Sequence, residues 1–196
     1  MRIIATLILV ITQLIARNPD AVGINGMVVS SHKLASNVGV EILKSGGNAI
    51  DAAIATGLAL AVVHPAAGNI GGGGFMVIRL ADGTVTTIDF REVAPSGAHR
   101  DMFLDDSMNV IPGESWHTSR AAGVPGSVAG FGMAHEKYGS AKWKTLVKPA
   151  AELAKNGFPM DFQNIMAINY PYYQEYLSRD VEAEKIFAIE KPMELN

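Results

Sequence analysis

The chain has 196 residues, 48% of them hydrophobic and 18% charged, which is enough apolar surface to offset the entropy of ordering a chain and excludes disorder as its general state. A formal net charge of −3, with Lys and Arg spread thinly, leaves no basic stripe to displace counterions from a phosphate backbone, so nucleic acid is not an expected partner. Cysteine is absent, which rules out disulfides, thiolate metal sites and a cysteine nucleophile.

At the N-terminus, Arg2 precedes an apolar run from Ile3 to Ile15 interrupted only by Thr6, Thr12 and Gln13, the pattern of a signal-peptide n-region and h-region. The run is shorter than the roughly 20 residues of a membrane span, and no clear small-x-small cleavage site precedes Arg17. Residues 1–20 are therefore expected to form a signal peptide or a tail, with export to the periplasm or beyond. A buried or interfacial helix is the competing reading.

After the polar break Arg17-Asn18-Pro19-Asp20, the β-branched stretch Met27-Val28-Val29-Ser30 predicts a buried strand. Leu34, Val38 and Ile42 then recur at helical spacing, and Gly46-Gly47 stops the pattern as a C-cap pair does. Asn48 caps a second helix that runs to about Val63, with Asp51 in its first turn, where a carboxylate meets the positive end of the dipole. Its body is apolar or small on every side, which predicts a helix buried between layers and is too short for a membrane span.

Five glycines between Pro65 and Gly74 require an irregular turn. A hairpin follows, with strands Phe75–Leu80 and Thr84–Phe90 joined at Ala81-Asp82-Gly83. Residues 91–112 carry Pro95, Gly97 and Pro112 and read as a long excursion, a kind of loop that is usually functional or mobile. Helical spacing returns from Val128 to Gly139 and from Lys142 to Asn156. Between Asp161 and Leu177, Ile165, Ile168, Tyr172 and Tyr176 share a helical face that Pro171 should kink or break, and the aromatic stripe is expected in the core.

The glycine run Gly68-Asn69-Ile70-Gly71-Gly72-Gly73-Gly74 fails both nucleotide fingerprints: it has no Gly-Lys-Ser/Thr, and it precedes a strand instead of opening a helix. Close approach of its backbone to another segment explains it better. His135-Glu136 lacks the second histidine of a zinc-protease motif, because Gly139 stands there, and His32, His64, His99 and His117 are isolated, so no metal is expected. Ser30-Ser31-His32 and His117-Thr118-Ser119 set hydroxyls beside imidazoles, but capping or turn roles are the expectation. Asp89-Phe90-Arg91-Glu92 places an arginine where a strand opens into the long loop. Two readings stand for Arg91: bidentate capture of a substrate carboxylate, or a structural ion pair with Asp89 or Glu92.

In order, the segments GMVVSSHKLASNVGVEILKSGGNAIDAAIATGLALAVVHPAAGNIGGGGFMVIRL, TTIDFREVAP, RDMFLDD and AGVPGSVAGF resemble the gamma-glutamyltranspeptidase family, from about Gly26 to at least Gly157. The resemblance implies an α+β chain, part of the four-layer αββα sandwich of N-terminal-nucleophile hydrolases. It implies a precursor that cleaves itself into a large and a small subunit. The small subunit's new N-terminal threonine attacks the gamma-glutamyl amide of glutathione or a related donor, and the acyl-enzyme passes to water or to an amino acid or peptide acceptor. Arg91 matches the arginine of the family's DFRE motif, which binds the alpha-carboxylate of the glutamyl group. The groups that hold the alpha-amino end and form the oxyanion hole belong to the small subunit and have no match here, and the self-cleavage threonine motif is also missing. Residues 21–196 are thus expected to be an incomplete large-subunit domain without a catalytic residue or cofactor, inactive alone and completed by a C-terminal part and a small subunit. A noncatalytic glutamyl-binding module or scaffold remnant is the alternative.

Overall fold

The computed structural model describes residues 22–68 and 70–187, so the signal-peptide reading of residues 1–20 lies outside the described residues. Helix α1, Lys33–Lys44, begins at His32, whose Nδ1 accepts from the Leu34 N–H at 3.2 Å. It ends in a Schellman arrangement, in which Gly46 N–H donates to Leu43 O at 3.1 Å and Gly47 N–H to Ile42 O at 3.0 Å. Gly46 sits at φ 90°, where a side chain would be strained. Asn48 then opens helix α2, Ala49–Val63, with a complete capping box: Asn48 Oδ1 accepts from the Ile50 and Asp51 N–H groups, and Asp51 accepts from the Asn48 N–H at 2.9 Å. Both helix ends fall where the local signals put them.

Helix α2 is the centre of the fold. Ala52, Ile54, Ala55, Ala59 and Val63 are all buried, as its all-round apolar sequence requires, and no helix among the described residues is long and apolar enough to cross a membrane. Strands β1, Phe75–Arg79, and β2, Val85–Asp89, pair antiparallel from Phe75↔Asp89 to Arg79↔Val85, with Gly83 at φ 89° in the turn. Period-two alternation sends Ile78 and Ile88 into the core cluster with Ile54, Ala55 and Leu146. Phe75, Val77 and Val85 point the other way and are 64%, 75% and 62% exposed, so the hairpin carries an apolar outer face.

The remaining elements are short helix α3, Glu114–His117; a 3-10 turn, Ser119–Ala121; and helices α4, Ser127–Tyr138, α5, Trp143–Asn156, α6, Phe162–Ile168, α7, Pro171–Leu177, and α8, Val181–Phe187. Helices α1, α4 and α5 pack on α2, and together with the hairpin they make an α+β arrangement. Pro171 ends the expected long helix and starts α7 at its first position, where its missing N–H costs nothing.

Side chains from distant segments satisfy both ends of α2. Asp51 is fully buried and, besides Asn48, accepts from Ser140 Oγ at 2.6 Å, Ser140 N–H at 3.1 Å and Ala141 N–H at 3.1 Å. Burial acts to raise its pKa, but the hydrogen bonds from Ser140, Asn48 and Ala141 act the other way and prevail, so Asp51 titrates below the ordinary value of 3.8. Asn48 Nδ2 donates to Tyr138 O at 2.6 Å, and at the far end Asn164 Nδ2 donates to Val63 O at 2.7 Å. The helix that fills the core is thereby tied to α4, to the α4–α5 turn and to α6.

Two expectations fail. Met27–Ser30 forms no strand: Val28 packs on the core while Met27 and Val29 are 56% and 80% exposed, and among the described residues no neighbouring backbone offers a ladder. A β-branched run becomes a strand only where a partner exists. The aromatic stripe fails only in part: Ile165 is buried and Ile168 and Tyr176 are half-buried, but Tyr172 is 45% exposed, with the helix interrupted at Pro171.

Candidate functional site

The glycines that fail as a phosphate loop meet the segment that carries Arg91. The Gly74 and Phe90 backbones exchange hydrogen bonds of 3.3 and 3.0 Å, extending the hairpin ladder by one pair, and Gly72 O accepts from the Gly126 and Ser127 N–H groups at 2.9 and 3.0 Å. A Cβ on Gly73 would lie 2.6 Å from Phe90 O, and one on Gly126 only 2.0 Å from it. On α4, a Cβ on Gly130 would lie 2.2 Å from Phe90 Cγ, the ring that also meets Phe131 edge-on at 5.8 Å between centroids. Glycine is present here because backbone and an aromatic ring occupy the space of its side chain, as the close-approach reading anticipates.

This packing fixes the backbone on both sides of Arg91. Phe90 is paired with Gly74, and Val93 with Val124 through bonds of 3.3 and 2.9 Å. Asp89 does not pair with the guanidinium; its Oδ1 accepts from the Arg91 N–H at 3.0 Å, closing an Asx turn. Glu92 approaches only to 4.0 Å of Arg91 Nε, and the arginine side chain is 70% exposed. A solvent-exposed pair at that distance contributes on the order of 0–1 kcal/mol, so the structural ion-pair reading explains little of why an arginine stands here. Arg91 lines a cleft of about 500 Å³ together with Pro95, Met102 and Phe103 from the excursion and Arg120 and Gly123 from the segment after it. A held backbone, an unspent planar donor fork and an open cleft suit a carboxylate ligand.

A larger cleft of about 600 Å³ lies between α1 and α5, lined by Val38, Glu41, Lys148, Glu152 and Leu153 among others. Its lysine, Lys148, faces Glu152 at 3.5 Å in an exposed pair along α5.

The other sequence candidates disperse. Ser30 Oγ bonds Ser36 Oγ at 2.8 Å and His32 O at 3.0 Å, while the buried His32 caps α1 and faces Asp161 Oδ2 at 3.4 Å. His117 stacks on Tyr176 at 4.2 Å, and Thr118 Oγ donates to Glu114 O at 2.8 Å. His135 Nε2 lies 2.7 Å from Ala141 O, with its ring against Trp143. Among the described residues, no three His, Asp or Glu side chains gather as metal ligands would. Arg120 has no counterpart among the sequence candidates: it falls between His117-Thr118-Ser119 and AGVPGSVAGF without belonging to either, and only folding brings it to the Arg91 cleft.

Residues 35–194 match the family model described as Gamma-glutamyltranspeptidase. The chain is 59% identical over 137 residues to the glutathione hydrolase proenzyme of Pseudomonas sp. (strain A14), covering 70% of this chain and 24% of that one. It is 56% identical over 133 residues to the glutathione hydrolase proenzyme of Escherichia coli (strain K12), covering 68% of this chain and 23% of that one. The crystal structure of Helicobacter pylori gamma-glutamyltranspeptidase superposes with a TM-score of 0.84 at 45% identity, over 91% of this chain and 50% of that chain. This chain thus spans about a quarter of the length of the curated relatives it matches. With the DFRE segment clamped by the glycine loop, and with relatives this similar in sequence and in shape, the chain belongs to the gamma-glutamyltranspeptidase family.

Proposed function

We propose that the chain forms the N-terminal part of the large subunit of an enzyme that cleaves gamma-glutamyl amides, glutathione among them, and that Arg91 holds the alpha-carboxylate of the glutamyl group. The observation that carries the assignment is the Arg91 guanidinium, unspent and bordering the cleft while its backbone is held on both sides. Anchoring the carboxylate at a planar fork orients the gamma-amide for attack, converting part of the entropic barrier into prior binding. The nucleophile in this reading is a threonine outside these residues. It forms an acyl-enzyme that water or an amino acid or peptide acceptor resolves. The precursor architecture also supplies what the hairpin's outer face needs. Phe75, Val77 and Val85 present apolar surface of the kind that a second sheet covers in a four-layer αββα sandwich, so residues 21–196 act as part of a larger domain. Export of the precursor, supported by the apolar run behind Arg2, belongs to the same proposal.

The test is a hybrid proenzyme in which residues 26–157 replace the matching segment of the Pseudomonas sp. relative, assayed with a chromogenic gamma-glutamyl anilide. The hybrid should release the chromophore and the isolated chain should not. Turnover by the stringently purified chain would refute the placement of the nucleophile. A hybrid that cleaves itself yet turns nothing over would favour a noncatalytic glutamyl-binding module.

A further inference from the structure

The cleft beside Arg91 has two walls that come from segments far apart in the chain. One is the excursion after Arg91, folded on itself by the Leu104 N–H to Asp101 O bond of 3.0 Å and the Ile111 N–H to Phe103 O bond of 3.0 Å. The other is the 3-10 turn Ser119–Ala121 and the strip to Gly123. At the base the walls join through the Val93–Val124 backbone pair. Further up they join through Arg120: Nη2 donates to Met102 O, 18 residues away, and Nη1 donates to Glu114 Oε1 at 3.3 Å. Glu114 is 19% exposed and Arg120 50%, so the carboxylate end of this tie is shielded while the guanidinium meets solvent, and the second arm of the fork ends on a neutral carbonyl.

We propose that Arg120 is a positioning residue for ligand binding at Arg91: its fork, braced by Glu114, pins Met102 and so holds the excursion as a fixed wall of the cleft. The consequence for binding rests on the glutamyl reading of Arg91, whereas the latch itself rests on the Arg120 contacts alone. A lysine has a single ammonium and cannot hold Glu114 and the Met102 carbonyl in the same fork geometry, so charge without shape does not replace it. Without the latch, the wall samples open arrangements, and ligand must first select the closed one, which weakens apparent affinity by the fraction of time the wall is closed.

Hydrogen exchange read by mass spectrometry on the chain, with and without glutathione, separates the parts of this claim. In Arg120→Ala and Arg120→Lys, exchange at the Leu104 and Ile111 amides should rise about tenfold or more while the α2 amides stay unchanged. Protection of residues 91–104 by glutathione should then require correspondingly more ligand. Arg91→Ala should abolish the protection and leave Leu104 and Ile111 as slow as in the parent. Unchanged exchange at Leu104 and Ile111 in both Arg120 variants overturns the latch, and faster exchange throughout α2 overturns it in favour of general destabilisation. A loosened wall with an unchanged glutathione requirement overturns the positioning role. A parent that glutathione never protects overturns the positioning role in this chain, even where exchange at Leu104 still depends on Arg120, and the glutamyl reading of Arg91 is then decided by the kinetics of Arg91 variants in the hybrid enzyme.

Discussion

Asp51 takes four donors into one buried carboxylate, from Asn48 N–H, Ser140 N–H, Ser140 Oγ and Ala141 N–H, so its removal has a cost that can be worked from the contacts. In Asp51→Ala, the Ser140 hydroxyl can rotate to another acceptor, but three backbone N–H groups keep their directions and lose their partner. Each unsatisfied buried donor costs about 1–3 kcal/mol, and water entering the space left by the carboxylate offsets part of this, so a net loss of about 3–5 kcal/mol is expected. That is a large share of the roughly 5–15 kcal/mol typical of a folded domain. Asp51→Asn keeps one oxygen for the Asn48 and Ala141 donors but turns an amide N–H₂ toward Ser140 N–H, and should cost about 2 kcal/mol. The assay is urea unfolding followed by the fluorescence of Trp143, which packs on His135, in a Trp116→Phe background. The sign of the acid dependence follows from the same bonds. A carboxylate with a depressed folded-state pKa contributes stability that is present above its unfolded value near 3.8 and is lost as pH falls through the lower folded value. The parent should therefore lose stability below about pH 4, and Asp51→Asn should lose less of it. A change under about 1 kcal/mol in Asp51→Ala, or identical acid limbs for parent and Asp51→Asn, would refute the view that this carboxylate holds α2 to the α4–α5 turn.

Three further outcomes are expected. In the hybrid enzyme, Arg91→Lys keeps the charge but loses the fork, so KM for glutathione should rise about tenfold to a hundredfold with kcat little changed; values within about twofold of the parent would return Arg91 to a structural ion pair. Gly126→Ala sets a Cβ 2.0 Å from Phe90 O, so the backbone must shift, and a loss of about 1–3 kcal/mol in urea unfolding should come with weaker glutathione binding; an unaltered variant would show that the clamp is soft. Because Phe75, Val77 and Val85 form an exposed apolar face, the isolated chain should self-associate with rising concentration in sedimentation velocity, and Val77→Lys should suppress this; a monomer at every concentration would refute it.

What was legible in the sequence was what neighbours in the chain decide. The corner between α1 and α2 is specified within a few residues, by Gly46 for the left-handed turn and by Asn48 with Asp51 for the capping box, and both appear as read. The hairpin was legible because alternation and an Asp-Gly turn are local, and Arg91 stood out because its motif is contiguous. What distant partners decide was not legible. Asp51 reads as a helix-start acid, whereas most of its hydrogen bonds come from donors 89 and 90 positions later. Met27–Ser30 has strand composition without a partner, and Tyr172, which the spacing puts on a core face, is 45% exposed among the described residues. Arg120 reaches Met102 only because the excursion doubles back, which no spacing rule reports.

The convergence of Gly73, Gly126 and Gly130 on Phe90 and its carbonyl bears on how this site tolerates heredity's errors. None of the three carries a side chain, and at each the smallest possible one would already collide with backbone or with a ring. The arginine presents one codon to random change, and the glycines that keep its backbone in place present three more, none with a conservative neighbour to fall back on. A survey of inactivating variants would therefore reach the proposed Arg91 anchor more often through these glycines than through the arginine itself, and a map of intolerance drawn from such a survey would be centred on Phe90, not on Arg91.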